Sequence, residues 1–152
     1  MYFEVICQLF LATFLGALIG LEREAKRKGA GFRTYSLVSL GTCLFTLLAF
    51  HLFNYFSLEN SIAFDPSRII QAIAIGIGFI GAGVIFHQAS GVTGLTTAAG
   101  LWVVAAIGIA VGAKFYFLSV VGALFALFIL VGLGFIEGKI FNKKRSEENE
   151  RY

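Results

Sequence analysis

Gly76-Ile77-Gly78-Phe79-Ile80-Gly81 carries the GxGxxG spacing that seats a dinucleotide's pyrophosphate on a helix N-terminus. That chemistry also needs a preceding strand, a soluble βαβ unit and an acid about 20 positions on for the ribose. Here the flanks are apolar and the next acid is Glu137, so these glycines read as helix-packing residues. No Ser/His/Asp set, HExxH pair or phosphate loop is present, and the expectation is a protein without catalytic residues. His51 and His87 stand alone, and Cys7 and Cys43 lie in apolar runs. None has a partner at metal-ligand spacing, so neither a metal site nor a cofactor is expected.

The charged and hydroxyl residues beside the apolar runs are the remaining candidates for chemistry. Glu22, Arg23 and Glu24 close one apolar run and Arg33 opens the next. Their plain reading is anchoring at the membrane surface, which suits Lys26, Arg27 and Lys28. For Glu22 the expectation is a partly desolvated pair with Arg33 that fixes the hairpin between the two runs. Asp65-Pro66-Ser67-Arg68 is a helix start, with an acid that can cap and a proline suited to the first turn. Capping alone accounts for Asp65 and Pro66. Arg68 borders an uncharged run, so capping combined with a ligand or partner role stands beside it. Thr96 and Thr97 follow Gly94-Leu95, where a hydroxyl can cap a helix or line a polar cavity.

The elements that position these residues follow from composition. Of 152 residues, 58% are hydrophobic and 14% charged, with 18 Gly, 17 Phe and one Pro. A soluble domain this small has too little interior for so much apolar surface, and disorder needs the opposite balance. A net charge of +3 without a basic, aromatic-interleaved stripe excludes nucleic acid as a partner. From Ile69 to Ile136 the one formal charge is Lys114. About 20 apolar residues cross a bilayer as a helix, and continuous runs favour helices over barrel strands.

The fold class is therefore an all-α integral membrane protein. It is a bundle of about five transmembrane helices at about 5–21, 34–53, 69–86, 97–112 and 115–136. Residues 1–136 form the membrane domain and 137–152 a charged tail; the 87–96 segment reads as a loop. The first loop holds Arg23, Lys26, Arg27, Lys28 and Arg33, and the tail holds Lys139, Lys143, Lys144, Arg145 and Arg151. Only Arg68 and Lys114 fall on the other side. Basic residues stay inside, so the N-terminus is expected outside and the tail in the cytoplasm. The first run lacks a preceding Lys or Arg and a following cleavage site, so it reads as a retained span.

Small residues recur at helical spacing: Gly16 and Gly20 in the first run, Ala74, Gly78 and Ala82 in the third, with Gly76, Gly81 and Gly83 beside them. Gly108 and Gly112 end the fourth. Such faces let helix backbones approach closely in lipid. The third helix is expected to be central, its small face packed inside one chain, with a homo-oligomer seam as the alternative.

Five segments in order, Gly20-Leu21-Glu22-Arg23-Glu24, Ala30-Gly31-Phe32-Arg33-Thr34, Asp65-Pro66-Ser67-Arg68, the Gly76 to Gly83 run and Gly94-Leu95-Thr96-Thr97 through Trp102, resemble the bacterial MgtC/SapB family. The resemblance covers about residues 10–115. It implies a multi-pass protein of the bacterial inner membrane, related to members that support growth in scarce magnesium and survival of pathogens in macrophages. It also implies a membrane complex such as the F-type ATP synthase as a partner, beside the lipid bilayer itself. The chain resembles the short form, which lacks a C-terminal soluble domain, and Thr93 stands where many members carry a basic residue. Two functions follow: a non-enzymatic regulator of ion (magnesium) or energy homeostasis acting through membrane partners, or a small oligomeric ion transporter or channel with magnesium as first candidate. With no acid between Pro66 and Ile136, one protomer offers few ligands for a cation that demands oxygen donors, although Asp65 from several copies could ring an outer mouth.

Overall fold

The computed structural model describes residues 2–58, 65–89 and 91–136. It is helical, with one small hairpin: α1 (Tyr2–Ala25), α2 (Phe32–Leu58), α3 (Ser67–Gly83), β1 (Phe86–Gln88), β2 (Gly91–Thr93), α4 (Leu95–Gly112) and α5 (Tyr116–Leu127). After α5 the helix widens into a π-helical segment, Phe128–Leu133, and the apolar stretch runs on to Ile136. Four helices, α1, α2, α4 and the Tyr116–Ile136 stretch, are long and apolar enough to cross a membrane. At 17 residues and 1.5 Å per residue, α3 reaches about 25 Å, short of a hydrocarbon core of about 30 Å. The outside of the bundle carries large apolar side chains, with Phe79 85% and Phe117 84% exposed. Water would penalise such a surface; lipid does not, and the chain is a membrane protein.

Local signals set the breaks between helices. At the end of α1, Arg27 takes a left-handed conformation, φ 51°. The Lys28 N–H donates to the Arg23 carbonyl at 3.0 Å and the Arg27 N–H to the Glu24 carbonyl at 2.9 Å. This is the Schellman pattern, which satisfies carbonyls a helix end leaves open. The same pattern separates α4 from α5. Lys114 has φ 66°, the Phe115 N–H donates to the Ala110 carbonyl at 2.8 Å and the Lys114 N–H to the Val111 carbonyl at 3.0 Å. One left-handed lysine thus splits a long apolar run into two helices. Gln8 of α1, itself buried, donates through Nε2 to the Val111 carbonyl at 3.0 Å, closing the same helix end from outside.

The bundle is built around α4, which packs against α1, α2, α3 and α5. The expectation that the third helix is central is corrected here: α3 rests on α4 through Ile77 and Gly81, and most of its surface is open. The tightest seam joins α1, α2 and α4. A methyl added at Gly16 would fall 2.6 Å from the Tyr35 carbonyl oxygen, and one at Gly20 2.8 Å from Phe32 Cα. On the other flank of α2, a methyl at Gly112 would lie 2.8 Å from Thr46 Cβ, and one at Gly108 would collide with the Thr42 hydroxyl and the Ser39 carbonyl. The face of α2 between them, Tyr35, Ser39, Cys43 and Thr46, is fully buried.

Within the expected 87–96 loop, where Leu95 and Thr96 already begin α4, β1 and β2 pair as an antiparallel hairpin, with Phe86 opposite Thr93 and His87 opposite Val92. Gly94 follows at φ 92°, a conformation that favours glycine. A side chain there would also strike the Val84 carbonyl. The α1–α2 turn, the hairpin, the start of α4 and the end of the last helix gather at one end, the basic end. The α4–α5 turn and the start of α3 lie at the other.

Candidate functional site at the basic end

The last turn of α1 presents two adjacent charges of opposite sign to the bundle interior. The Arg23 guanidinium donates from Nε to Glu22 Oε2 at 2.6 Å and from Nη2 to Glu22 Oε1 at 3.1 Å. Lys26, one turn on, places Nζ 2.7 Å from Glu22 Oε1 and 2.9 Å from the Leu130 carbonyl oxygen, to which it donates. The side chains of Glu22 and Arg23 are 9% and 4% exposed. Removing charges from water is repaid only where the partners are well placed, and here both Glu22 oxygens are engaged. One acid between two bases leaves the cluster one positive charge in excess.

The expected Glu22–Arg33 pair is not formed. Glu22 turns to its own helix, and Arg33 is exposed on the first turn of α2, beside an apolar groove with Phe10 and Phe14. What fixes the α1–α2 hairpin is Glu24, whose Oε2 accepts the Phe32 N–H at 3.0 Å. The Glu24 carboxylate also lies against Gly31, so a side chain there would have to displace it. A second tie joins α2 to α4: the buried Tyr35 hydroxyl donates to the Thr97 carbonyl at 3.1 Å and lies directly over Gly100.

These elements enclose a cavity of about 600 Å³. Arg23, Lys26 and Lys28 supply one wall, and Gly94, Thr96 and Thr97 at the start of α4 supply the second. Ile129, Leu130 and Leu133 of the π-helical segment form the third. No side chain caps α4, so neither threonine acts as the expected cap. Thr96 is exposed and Thr97 buried, both on the cavity. The structure thus brings together Glu22, Arg23, Thr96 and Thr97 of the expected residues, and leaves Arg33, Asp65 and Arg68 elsewhere.

Asp65 lies before α3, where its Oδ1 accepts the Ser67 N–H at 2.9 Å. Hydrogen bonds from the Ser67 side chain and backbone hold its carboxyl below the usual carboxylate range. Arg68 is exposed. Lys114, at the same end, sits 2.7 Å from Glu4, and that hydrogen bond raises its pKa. Among the described residues no group of three or more His, Cys, Asp or Glu could hold a metal.

The packing glycines divide in two. Gly16, Gly20, Gly108 and Gly112 lie in the α1–α2–α4 seam, and a methyl added at Gly81 of α3 would lie 3.6 Å from Ala98 Cβ, an ordinary contact. Gly76, Gly78 and Gly83 meet nothing within 4 Å, and Ala74 and Ala82 are exposed beside them. The reason is geometric: α3 has one neighbour of consequence and turns Ile77 and Gly81 toward it. Lys26, Lys28, Tyr35 and Gly100 were not evident as site residues. Tyr35, Ser39, Thr42 and Thr46 recur every three to four positions, the one signal that marked α2 as the partner of the glycine faces.

Residues 9–139 match the model of the MgtC family. YhiD of Escherichia coli (strain K12), named "Putative magnesium transporter YhiD", is 39% identical over 141 residues, 92% of this chain and 65% of that protein. SapB of Bacillus subtilis is 36% identical over 149 residues, 97% of this chain and 64% of SapB. MgtC of Salmonella typhimurium is 43% identical over 110 residues, 72% of this chain and 44% of MgtC. The chain thus spans less than two thirds of the length of each of these relatives. No solved structure matches.

Proposed function

The chain belongs to the MgtC family, and from that premise we propose that it regulates ion homeostasis, magnesium first, in the bacterial inner membrane, through contacts with membrane partners. Magnesium enters through the names carried by relatives such as YhiD. The observation that favours regulation over conduction is the α1–α2–α4 seam. Its glycines bring backbones so close that Gly16 and Gly112 leave no room for a methyl group. Within the seam the Thr46 hydroxyl is spent on the Thr42 carbonyl at 2.8 Å and that of Thr42 on the Ser39 carbonyl at 3.1 Å. A hydrated divalent cation sheds its waters reluctantly and needs oxygen ligands in return; this interior supplies neither space nor carboxylates. On this reading the basic flanks face the cytoplasm, and an F-type ATP synthase is one membrane complex of the expected kind, by family analogy alone.

A second reading, transport along a path between copies, is favoured by the open small-residue face of α3 at Gly76, Gly78 and Gly83. Such faces associate in lipid, so homo-oligomers belong to either reading. Proteoliposomes containing the purified chain and an internal magnesium indicator test the choice. Regulation predicts an influx no greater than that of protein-free liposomes. Influx above that baseline, removed by Asp65→Asn or Gly78→Leu, would establish transport instead.

A further inference from the structure

The cavity at the basic end is lined for an anion, and this holds whether the bundle regulates or conducts ions. Three cations line it, Arg23, Lys26 and Lys28, and among the described residues Glu22 is the carboxylate paired with Arg23 and Lys26. Arg23 is only 3% exposed as a residue and is paired with Glu22, so the positive excess at the cavity belongs to the set as a whole, the three bases outnumbering that acid. The start of α4 forms the facing wall. Gly94 carries no capping side chain, and the first N–H groups of a helix, with its dipole, favour negative charge.

Independently of that helix end, Thr97 is 3% exposed and lines the cavity. Its carbonyl accepts the Tyr35 hydroxyl, while its own hydroxyl makes no hydrogen bond among the described residues. That hydroxyl is not a fully buried unsatisfied atom, as Ser39 Oγ is, so it keeps access to the cavity it lines and can donate to an occupant's oxygen. The third wall selects among anions. Ile129 and Leu133 are about half exposed, at 51% and 50%, and lead from the cavity onto the apolar outer surface. An occupant can therefore place a charged, oxygen-rich group among the cations and an apolar chain along the last helix.

We infer that this cavity binds a phosphate group, as a monoester or diester, with the basic wall and Thr97 holding its oxygens. The phosphate of an anionic phospholipid and free inorganic phosphate share this chemistry, and the lipid also uses the apolar wall.

The test is native mass spectrometry of the delipidated full chain in neutral detergent. Separate arms titrate phosphatidic acid, diacylglycerol with the same chains, and inorganic phosphate. Phosphatidic acid is expected to bind at least about tenfold more tightly than diacylglycerol, the scale of charge-assisted hydrogen bonds. Lys26→Gln/Lys28→Gln should lose that preference by about tenfold, and Thr97→Val by a smaller factor. Arg27→Gln/Arg33→Gln removes the same charge at the same end outside the cavity and should leave binding unchanged. Retained thermal unfolding temperature shows that each variant is folded; for a variant that fails this check, competition by inorganic phosphate against phosphatidic acid on the unsubstituted chain supplies the reading instead. Competition, or binding of inorganic phosphate alone, identifies the phosphate group as the determinant; binding of phosphatidic acid without competition identifies the lipid. Equal affinity for phosphatidic acid and diacylglycerol with no binding of phosphate would overturn the inference, as would equal losses in the two double variants.

Discussion

Two regions of this bundle carry small residues four positions apart, Gly16/Gly20 and Gly108/Gly112 in one and Ala74/Gly78/Ala82 in the other, and meet opposite surroundings. In α1 and α4, Gly16, Gly20, Gly108 and Gly112 press against the backbone and short side chains of α2. In α3, Gly76, Gly78 and Gly83 face open space. A small-residue face permits close approach; it does not supply the helix that approaches. What differs is the partner. The face of α2 offers Tyr35, Ser39, Thr42 and Thr46 at helical intervals, whereas of α3 only Ile77 and Gly81 are buried. Glycine spacing is therefore half of a contact, and the other half has to be found on a second helix.

The largest effect should come from forcing a side chain into the closed seam. In Gly108→Leu the new side chain would run into the Thr42 hydroxyl and the Ser39 carbonyl. Overpacking of this kind costs about 3 kcal/mol or more when backbone must move. We expect thermal unfolding in detergent to show loss of the folded monomer. Its counterpart, Gly78→Leu, adds the same atoms where nothing lies within 4 Å, and monomer stability should not fall. Any effect of Gly78→Leu should appear in oligomeric state, measured by crosslinking in membranes. Equal destabilisation by the two variants would erase the contrast between the faces.

A smaller effect tests whether the seam depends on shape or on polarity. The Ser39 hydroxyl is buried and has no hydrogen-bond partner among the described residues, yet Ser39 lies against both Gly16 and Gly108. If shape is what matters, Ser39→Ala keeps the small volume, removes an unsatisfied group, and should be neutral or stabilise by up to about 1 kcal/mol. Marked destabilisation in the same unfolding measurement would show that the hydroxyl itself holds the seam. Tyr35→Phe is the complement. It removes the bond to the Thr97 carbonyl and should cost about 0.6 kcal/mol, the average for hydrogen bonds between membrane helices.

The contrast also explains what could be read in advance. Apolar runs and basic flanks are local and strong, so the membrane class and the helices were legible. The break at Ala113-Lys114 was legible as a charge, but not as a left-handed turn that satisfies two carbonyls. The seam was half legible, because Gly108 and Gly112 announce a close face while the partner lies on a helix more than 60 positions away in sequence. Glu22 and Arg33 attract as formal charges on either side of a turn. The outcome was decided instead by Arg23 in the last turn of α1 and Lys26 just beyond it, which reach the same carboxylate from the same stretch of chain. The cavity depends on residues contributed by α1, α4 and the π-helical segment, and no spacing within one segment encodes such a meeting.

The smallest effect concerns how α3 is held, given how little it packs. Its start depends on a local contact, the Ser67 N–H donating to Asp65 Oδ1 at 2.9 Å. The hydrogen bonds from Ser67 come first in lowering this carboxyl below its ordinary value of 3.8, with the Arg68 charge adding to them. A carboxyl whose pKa is lower in the folded chain contributes stability that is present above its unfolded value and lost as pH falls through the folded one. Protection of the Ser67 amide in hydrogen exchange should therefore be constant near neutrality and decline below about pH 4. Asp65→Asn, whose side-chain oxygen can also accept at a helix start, should retain most of the protection and lose its dependence on pH. If the variant shows the same decline, titration of Asp65 is not the cause, and α3 is held at its start by something other than this cap.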